Sequence, residues 1–380
     1  MIKLVTLKEK HELNIVNKIY DFKNPSKIYI PIYTDTTFKM NDYIYKNTYF
    51  GDYTTSISGY IKGSKEIIVS NKKITAIEID NDFKENVSNR KRKKKITSKE
   101  DLINILDEYN LKYISNKLKE INNINNIIVV SIDEESYSVK ELMRLSHNYP
   151  EILETFDFLL NILNLSQGIL ATKNTNFKSI KNVKSIIGTY PNIKISLLPD
   201  KYLISYKEFI CEYLNQKKEE TLLLTTNEIY AIYNVIKKAK DITEQLITIS
   251  GNAIKKSLVI NIRIGTLLEE VIKEFIEIID NNYEIYINGY LQGIKISDVS
   301  KVIIDRNIDS VIINKMEEDN ETECINCGAC KKICPLNINV KNCYFDKMKH
   351  KNCIGCGLCN YICPAKINLK KVVWGRKYEK

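Results

Sequence analysis

Cys324-Ile325-Asn326-Cys327-Gly328-Ala329-Cys330-Lys331-Lys332-Ile333-Cys334-Pro335 returns as Cys353-Ile354-Gly355-Cys356-Gly357-Leu358-Cys359-Asn360-Tyr361-Ile362-Cys363-Pro364. Eight of the ten cysteines fall in these two stretches. Three closely spaced cysteines on a tight loop can each reach a different corner of one iron–sulfur cube, and the fourth corner needs a cysteine from elsewhere. In two-cluster ferredoxins each motif lends its last cysteine to the other cluster. The spacing therefore predicts two 4Fe-4S clusters, one on Cys324, Cys327, Cys330 and Cys363, the other on Cys353, Cys356, Cys359 and Cys334. Gly328 and Gly357 follow the second cysteine of each loop, where a residue without Cβ lets the backbone bend and turn N–H groups toward sulfur. Pro335 and Pro364 fix φ after the last ligand and steer the chain away.

Structural zinc is the plain alternative, but it usually takes two separated pairs of ligands rather than three close cysteines and a remote fourth. Disulfides need an oxidising compartment, and Met1 to Val16 has no apolar h-region, so a cytoplasmic location is expected. Cys211, within the apolar and aromatic stretch Tyr206 to Leu214, reads as a buried small hydrophobe, and Cys343 as a free thiol on the segment joining the motifs. His11, His147 and His350 are isolated and match no ligand spacing, which leaves them structural or surface roles.

A chain of 380 residues is too long for one core and suggests three or four units. No stretch has the uninterrupted apolar length of a membrane helix; even Leu258 to Ile279 is broken by Asn261, Arg263, Glu269, Glu270, Lys273 and Glu274. Net charge is +10, and six basic residues sit in the run Arg90 to Lys95. Such a run reads first as a solvated linker and second as a docking patch for an acidic redox partner or an anionic membrane surface. Nucleic acid is not expected as a partner, because no recognition helix or aromatic platform accompanies the run.

Lys27 to Lys62 shows short β-prone runs (Ile28 to Ile32, Tyr43 to Tyr45, Tyr60 to Ile61) broken by polar turns, which predicts a compact all-β unit. At Ser98 the period changes: Ser98-x-x-Asp101 resembles a capping box, with Leu102, Ile105 and Leu106 on one helix face. Strands at Ile127 to Ile132 and Ile193 to Leu198 then alternate with helical stretches at Glu141 to Leu163 and Glu208 to Leu214, the mark of a parallel α/β layer. From Leu246 the pattern is two strands (Leu246 to Ser250, Leu258 to Ile264) and a helix with the apolar stripe Leu268, Val271, Ile272, Phe275 and Ile279. Thr266 is expected to cap that helix, and a strand pair follows at Tyr283 to Ile287 and Gly293 to Ile296. A small sheet on one helix predicts a β-grasp-like module, whose Gly289 and Gly293 belong to no phosphate loop.

This order of units resembles the C subunit of the Rnf-type electron-transport complex and its soluble relatives. The firmest parts are the cysteine motifs and Ile247-Thr248-Ile249-Ser250-Gly251-Asn252-Ala253-Ile254 through Ile264-Gly265-Thr266. Ile30-Pro31-Ile32, Asn41-Asp42-Tyr43-Ile44 and Ser56-Ile57-Ser58-Gly59 are shorter matches. The resemblance implies a multidomain α/β and α+β chain. Its expected parts are a β barrel-sandwich hybrid domain with a basic exit linker (1–95), a Rossmann-like flavin/NADH-binding-type α/β domain (96–245), a β-grasp, SLBB-like domain (246–316) and an α-helical two-cluster ferredoxin domain (317–380).

The middle departs from that family. Its active members carry G-x-G-G-A-G-F-P-T, a loop whose bare backbone closes on flavin and nucleotide phosphates. Here no glycine lies between Gly63 and Gly168, and the corresponding stretch, Leu106 to Leu118, offers Tyr113, Ile114 and Lys117. The family's acidic E-C-E-P-Y segment appears as Asp133-Glu134-Glu135-Ser136-Tyr137, read first as a solvated strand-to-helix loop. Two functions stay open. The favoured one is a cluster-bearing adaptor without FMN or NADH, with no catalytic residue, relaying single electrons between protein partners. The other is an NADH-oxidising flavoprotein subunit using a rewritten loop. Lys331, Lys332, Lys341, Lys347, Lys349 and Lys351 around the motifs suit an acidic ferredoxin, flavodoxin or reductase subunit. The resemblance adds the membrane subunits of an Rnf-like complex, reached from the cytoplasmic face.

Overall fold

A computed structural model describes residues 4–7, 15–32, 38–69, 72–87, 93–135, 137–174, 177–316 and 321–374. His11, Ser136, residues 90–92 of the basic run and 317–320 of the polar stretch before the cysteines lie outside the described residues. The chain is a mixed α/β protein with several sheets, one of them wholly parallel.

Near the N-terminus, Lys27–Pro31, Lys72–Asn81, Gly59–Val69 and Tyr43–Ile44 form an antiparallel four-stranded sheet in that order. Its alternating side chains Ile28, Ile30, Ile61, Ile77 and Ile79 are fully buried, as a half-covered sheet requires. Gly59 has no substitute there, since a Cβ would lie 1.7 Å from the Asp80 carbonyl oxygen.

The parallel sheet runs in the order Ile193–Leu198, Gly168–Lys173, Asn126–Val130, Thr221–Thr225. Ser98 caps the Lys99–Glu108 helix by accepting from the Asp101 amide, and Leu102, Ile105 and Leu106 are buried as the periodicity predicts. The Lys140–Ile162 helix connects Asn126–Val130 to Gly168–Lys173 and lies on the large core around Phe156 and Leu159. Chain order reverses between Asn126–Val130 and Thr221–Thr225, so a crevice opens beyond their C-terminal ends.

A six-stranded sheet follows, ordered Ile15–Phe22, Ser257–Arg263, Glu244–Ser250, Ser310–Lys315, Tyr283–Ile287, Ile294–Ile296, with the Leu268–Phe275 helix against it. Two strands here differ from expectation. Ile15–Phe22 pairs in parallel with Ser257–Arg263 instead of joining the N-terminal unit, and Ser310–Lys315 is an interior strand between Glu244–Ser250 and Tyr283–Ile287. Thr266 is not the helix cap: its hydroxyl donates to the Arg263 carbonyl, and Leu267 takes the cap position without a side-chain bond. Ile279 lies beyond the helix and is exposed, so it leaves the apolar stripe.

The last part holds four short helices, Ala329–Ile333, Val340–Phe345, Leu358–Tyr361 and Leu369–Val373, around a core of Ile338, Val340, Ile367, Leu369 and Val373. No helix among the described residues is long and apolar enough to cross a membrane.

Candidate metal centres and the adjoining cleft

The two cysteine motifs repeat in backbone conformation as well as in sequence. Asn326 and Gly328 have φ of 59° and 70°, and the equivalent Gly355 and Gly357 have 68° and 76°. Three residues after the last cysteine of each motif, Asn337 and Lys366 again take positive φ, 55° and 51°. Asn339 and Asn368 then cap the following helices by accepting from the amides of Asn342 and Lys371. A left-handed residue on each side of the second cysteine curls the loop so that successive N–H groups face inward. The amide of Lys331 points to the Cys330 sulfur, and those of Gly355, Leu358 and Asn360 to Cys353, Cys356 and Cys359.

Cys324, Cys327, Cys330 and Cys363 line one crevice with Ile325, Tyr344, Pro364 and Leu369, so the fourth cysteine arrives from the opposite motif. Cys334 lies close enough to Cys353 and Cys356 for its charge to oppose their ionisation, and Cys359 feels the same two neighbours. Among the described residues no three His, Cys, Asp or Glu side chains converge on the position of a single ion; Cys324, Cys327, Cys330 and Cys363 line a crevice instead. Four thiols around an apolar crevice, with amides directed at sulfur, fit a four-iron cluster. Burial pushes the Cys356 thiol up to about 11 and Cys359 to about 12, so thiolates there need a compensating positive charge such as iron.

Cys211 is buried in the apolar cluster beside the parallel sheet, as expected. Cys343 is a free thiol, as expected, and it is buried in the Val340–Phe345 helix next to Cys334, where burial raises its pKa. His147 Nδ1 lies 2.9 Å from the Met143 carbonyl oxygen and His350 Nδ1 accepts from the Asn352 amide, both local roles.

The two motifs differ in setting. Cys327 is exposed, whereas the second motif is wedged against the rest of the chain. A Cβ on Gly357 would meet the Leu291 carbonyl oxygen at 2.3 Å, and one on Gly355 would meet the Trp374 ring at 2.5 Å. Tyr202 donates from its hydroxyl to the Cys356 carbonyl oxygen at 2.8 Å, with Glu135 Oε1 at 3.3 Å. Lys370 Nζ donates to the carbonyl oxygens of Leu291 and Gln292 at 3.0 and 2.8 Å. Glu135 is no solvated loop residue: it is 7 % exposed, accepts from the Gln292 amide at 3.0 Å, and rests on Gly289, whose missing Cβ leaves it room. Its Oε2 is buried without a partner, and burial pushes the carboxyl up to about 7.

Beside this junction lies a cleft of about 570 Å³, reaching from the helix N-terminus at Thr225 to Gly355 and Trp374. It occupies the crevice beyond Asn126–Val130 and Thr221–Thr225, where α/β folds hold nucleotides. The amides of the Thr226–Lys238 helix would ordinarily meet a phosphate there. In this chain they meet protein oxygen. Glu141 Oε2 accepts from the Asn227 amide at 2.9 Å and from the Thr226 hydroxyl at 2.6 Å. Thr225 Oγ1 accepts from the Glu228 amide, and Glu228 returns the bond to the Thr225 amide, closing a capping box. Lys117 pairs with Glu228 at 2.7 Å, and Tyr113 forms part of the wall. Ile114, expected in the phosphate volume, is instead fully buried in the core, because its helix, Lys112–Glu120, turns that face inward. Asp133 is pushed up by burial and by the Glu141 charge beside it.

Sequence reasoning missed Glu141, Glu228, Tyr202 and Lys370. Only Glu228 carried a local signal, Thr225-x-x-Glu228 before an apolar run.

No protein-family profile matches the chain. Among curated proteins it is similar to C subunits of ion-translocating oxidoreductase complexes, over somewhat more than half of its length. In particular, it is 24 % identical over 251 residues to the C subunit of the ion-translocating oxidoreductase complex of Buchnera aphidicola subsp. Acyrthosiphon pisum, covering 61 % of this chain and 51 % of that protein. It is 22 % identical over 217 residues to the C subunit of the proton-translocating ferredoxin:NAD(+) oxidoreductase complex of Clostridium ljungdahlii, covering 54 % and 47 %. The chain thus spans about half the length of the curated relatives it matches. Among solved structures, an NAD+-reducing [NiFe]-hydrogenase in the air-oxidized state aligns over 59 % of this chain and 48 % of that one, at 10 % identity and a TM-score of 0.48.

Proposed function

We propose that this chain is an electron-relay subunit of an oxidoreductase complex, holding one 4Fe-4S cluster on Cys324, Cys327, Cys330 and Cys363 and a second on Cys353, Cys356, Cys359 and Cys334. The observation that carries the reading is Cys363 lining the crevice of the first motif, the exchange of fourth ligands that two interlocked clusters require. When bound, such clusters accept and release single electrons. The protein's own part is to set their spacing, direct amides at sulfur and exclude water from the inner site. The four-part division into β hybrid, α/β, β-grasp and ferredoxin-type units belongs to the same proposal, as does a place on the cytoplasmic face of an Rnf-like membrane complex.

The adjoining cleft has lost FMN and NADH in this reading. Support comes from the helix N-terminus at Thr226, whose amides are held by the chain's own Glu141 and Thr225. A phosphate entering there would have to displace a carboxylate and sit beside two others, Asp133 and Glu228. The alternative, an active flavoprotein subunit, draws on the persistence of a cleft next to the inner motif. Equilibrium dialysis of the reconstituted protein against FMN and NADH separates the two. The relay reading expects no saturable binding at micromolar ligand, and a tight stoichiometric FMN complex would replace it with the flavoprotein reading.

A further inference from the structure

Nine lysines and only three carboxylates, Glu321, Glu323 and Asp346, lie between residues 321 and 374. The excess is displayed at the surface: Lys331, Lys332, Lys347, Lys349 and Lys351 are all exposed. Within it sit three large apolar side chains left in solvent, Ile325 at 66 %, Phe345 at 52 % and Met348 at 54 %. Ile325 borders the crevice of the first cysteine motif, as does Tyr344, whose ring makes an edge contact with Phe345 at 5.4 Å. Met348 follows just beyond the Val340–Phe345 helix, its amide bonded to the Cys343 carbonyl. Cys327, the exposed ligand candidate, is on this side, while the second motif is covered by Leu291, Tyr202 and Trp374.

Resting on the relay reading above, we propose that the surface of Ile325, Phe345 and Met348, ringed by Lys331, Lys347 and Lys349, docks an acidic one-electron carrier protein, making the first motif the exchange point and the second the inner relay. A small apolar centre with a basic rim suits a transient redox encounter. The rim steers a negatively charged partner, and the centre excludes water over the shortest path to the metal site. In each encounter one electron leaves the reduced carrier, which is thereby oxidised, and the first centre gains it; no bond or proton moves.

The test is stopped-flow reduction of the oxidised, cluster-loaded full chain by a reduced, purified acidic two-cluster ferredoxin. The wild-type rate should fall at least about fivefold between 50 and 300 mM salt. Lys347→Glu with Lys349→Glu should slow it about tenfold and flatten the salt dependence, and Phe345→Ala with Met348→Ala should slow it at constant salt response. Lys184→Glu, on the distant Phe177–Ile186 helix, should leave it unchanged. Iron content, sulfide content and reduction by dithionite, equal in all variants, show that the centres themselves are intact. With intact centres, rates within twofold of wild type in both double variants overturn the proposal. So does binding of the basic face to phosphatidylglycerol vesicles with ferredoxin transfer unaffected. Absence of iron and sulfide from the wild type overturns the relay reading instead.

Discussion

Glu141 and Asn227 stand 86 residues apart in sequence, yet the Glu141 carboxylate receives the Asn227 amide at 2.9 Å. That bond satisfies, from within the protein, an amide that a helix N-terminus otherwise leaves without a partner in its own helix. It ties the Lys140–Ile162 helix to the start of the Thr226–Lys238 helix at the edge of the cleft.

Glu141→Ala should therefore destabilise the folded chain. The Asn227 amide loses its acceptor, while the buried Thr226 hydroxyl keeps the Glu141 backbone carbonyl at 2.8 Å, a loss of about 1–2 kcal/mol by analogy with removal of a helix cap. Relief of the charge on Asp133 offsets some of it. Urea denaturation of the variant at neutral pH measures the difference, and Glu141→Gln should recover part of it.

Glu135 gives stability a pH dependence. Burial raises its folded-state pKa from 4.5 to about 7, so the folded state holds the proton that the unfolded state releases. Its contribution is fully present below about 4.5 and is lost as pH rises through about 7. Glu135→Gln keeps the neutral shape, and at pH 8 it should be more stable than wild type by roughly 1–3 kcal/mol. At pH 5 the gain should shrink toward zero. Thermal denaturation at the two pH values reads the change directly.

Lys370 is a partly buried cation whose charge acts on Cys353, Cys356 and Cys359 and which is tied to the carbonyls of Leu291 and Gln292. A positive charge there favours the reduced form of the second centre. Lys370→Met should lower that centre's potential by on the order of tens of millivolts and leave the first nearly unmoved. A redox titration followed by electron paramagnetic resonance separates the two.

Single cysteine variants test the crossing of ligands. Cys363→Ser should weaken the centre built on Cys324, Cys327 and Cys330, and Cys334→Ser the one built on Cys353, Cys356 and Cys359. Each should lose about half of the iron and labile sulfide. Loss of the centre within the same motif would reverse the assignment.

The cysteine loops were legible because their geometry is local: spacing, a left-handed residue after the second cysteine, and proline after the fourth. The Lys99–Glu108 helix was equally local, from Ser98 and its apolar face. Ile15–Phe22 was not, since its parallel pairing with Ser257–Arg263 spans some 240 residues of sequence and leaves no trace in its own pattern. Thr266 misled because its hydroxyl had a nearer backbone acceptor at Arg263. The lining of the cleft was only partly legible: Tyr113 and Lys117 stand on its wall, but Ile114 does not join them. Ile114 turns into the core, and Glu141, which meets the Asn227 amide, enters from another helix.

The electron-relay reading depends first on two iron–sulfur cubes in the C-terminal part of the chain. Metal and acid-labile sulfide analysis of anaerobically reconstituted protein, with electron paramagnetic resonance after reduction, looks for them directly. About eight iron and eight sulfide per chain are expected, with a signal from two interacting reduced centres. Protein that holds zinc alone, with no labile sulfide and no reducible signal, would contradict it.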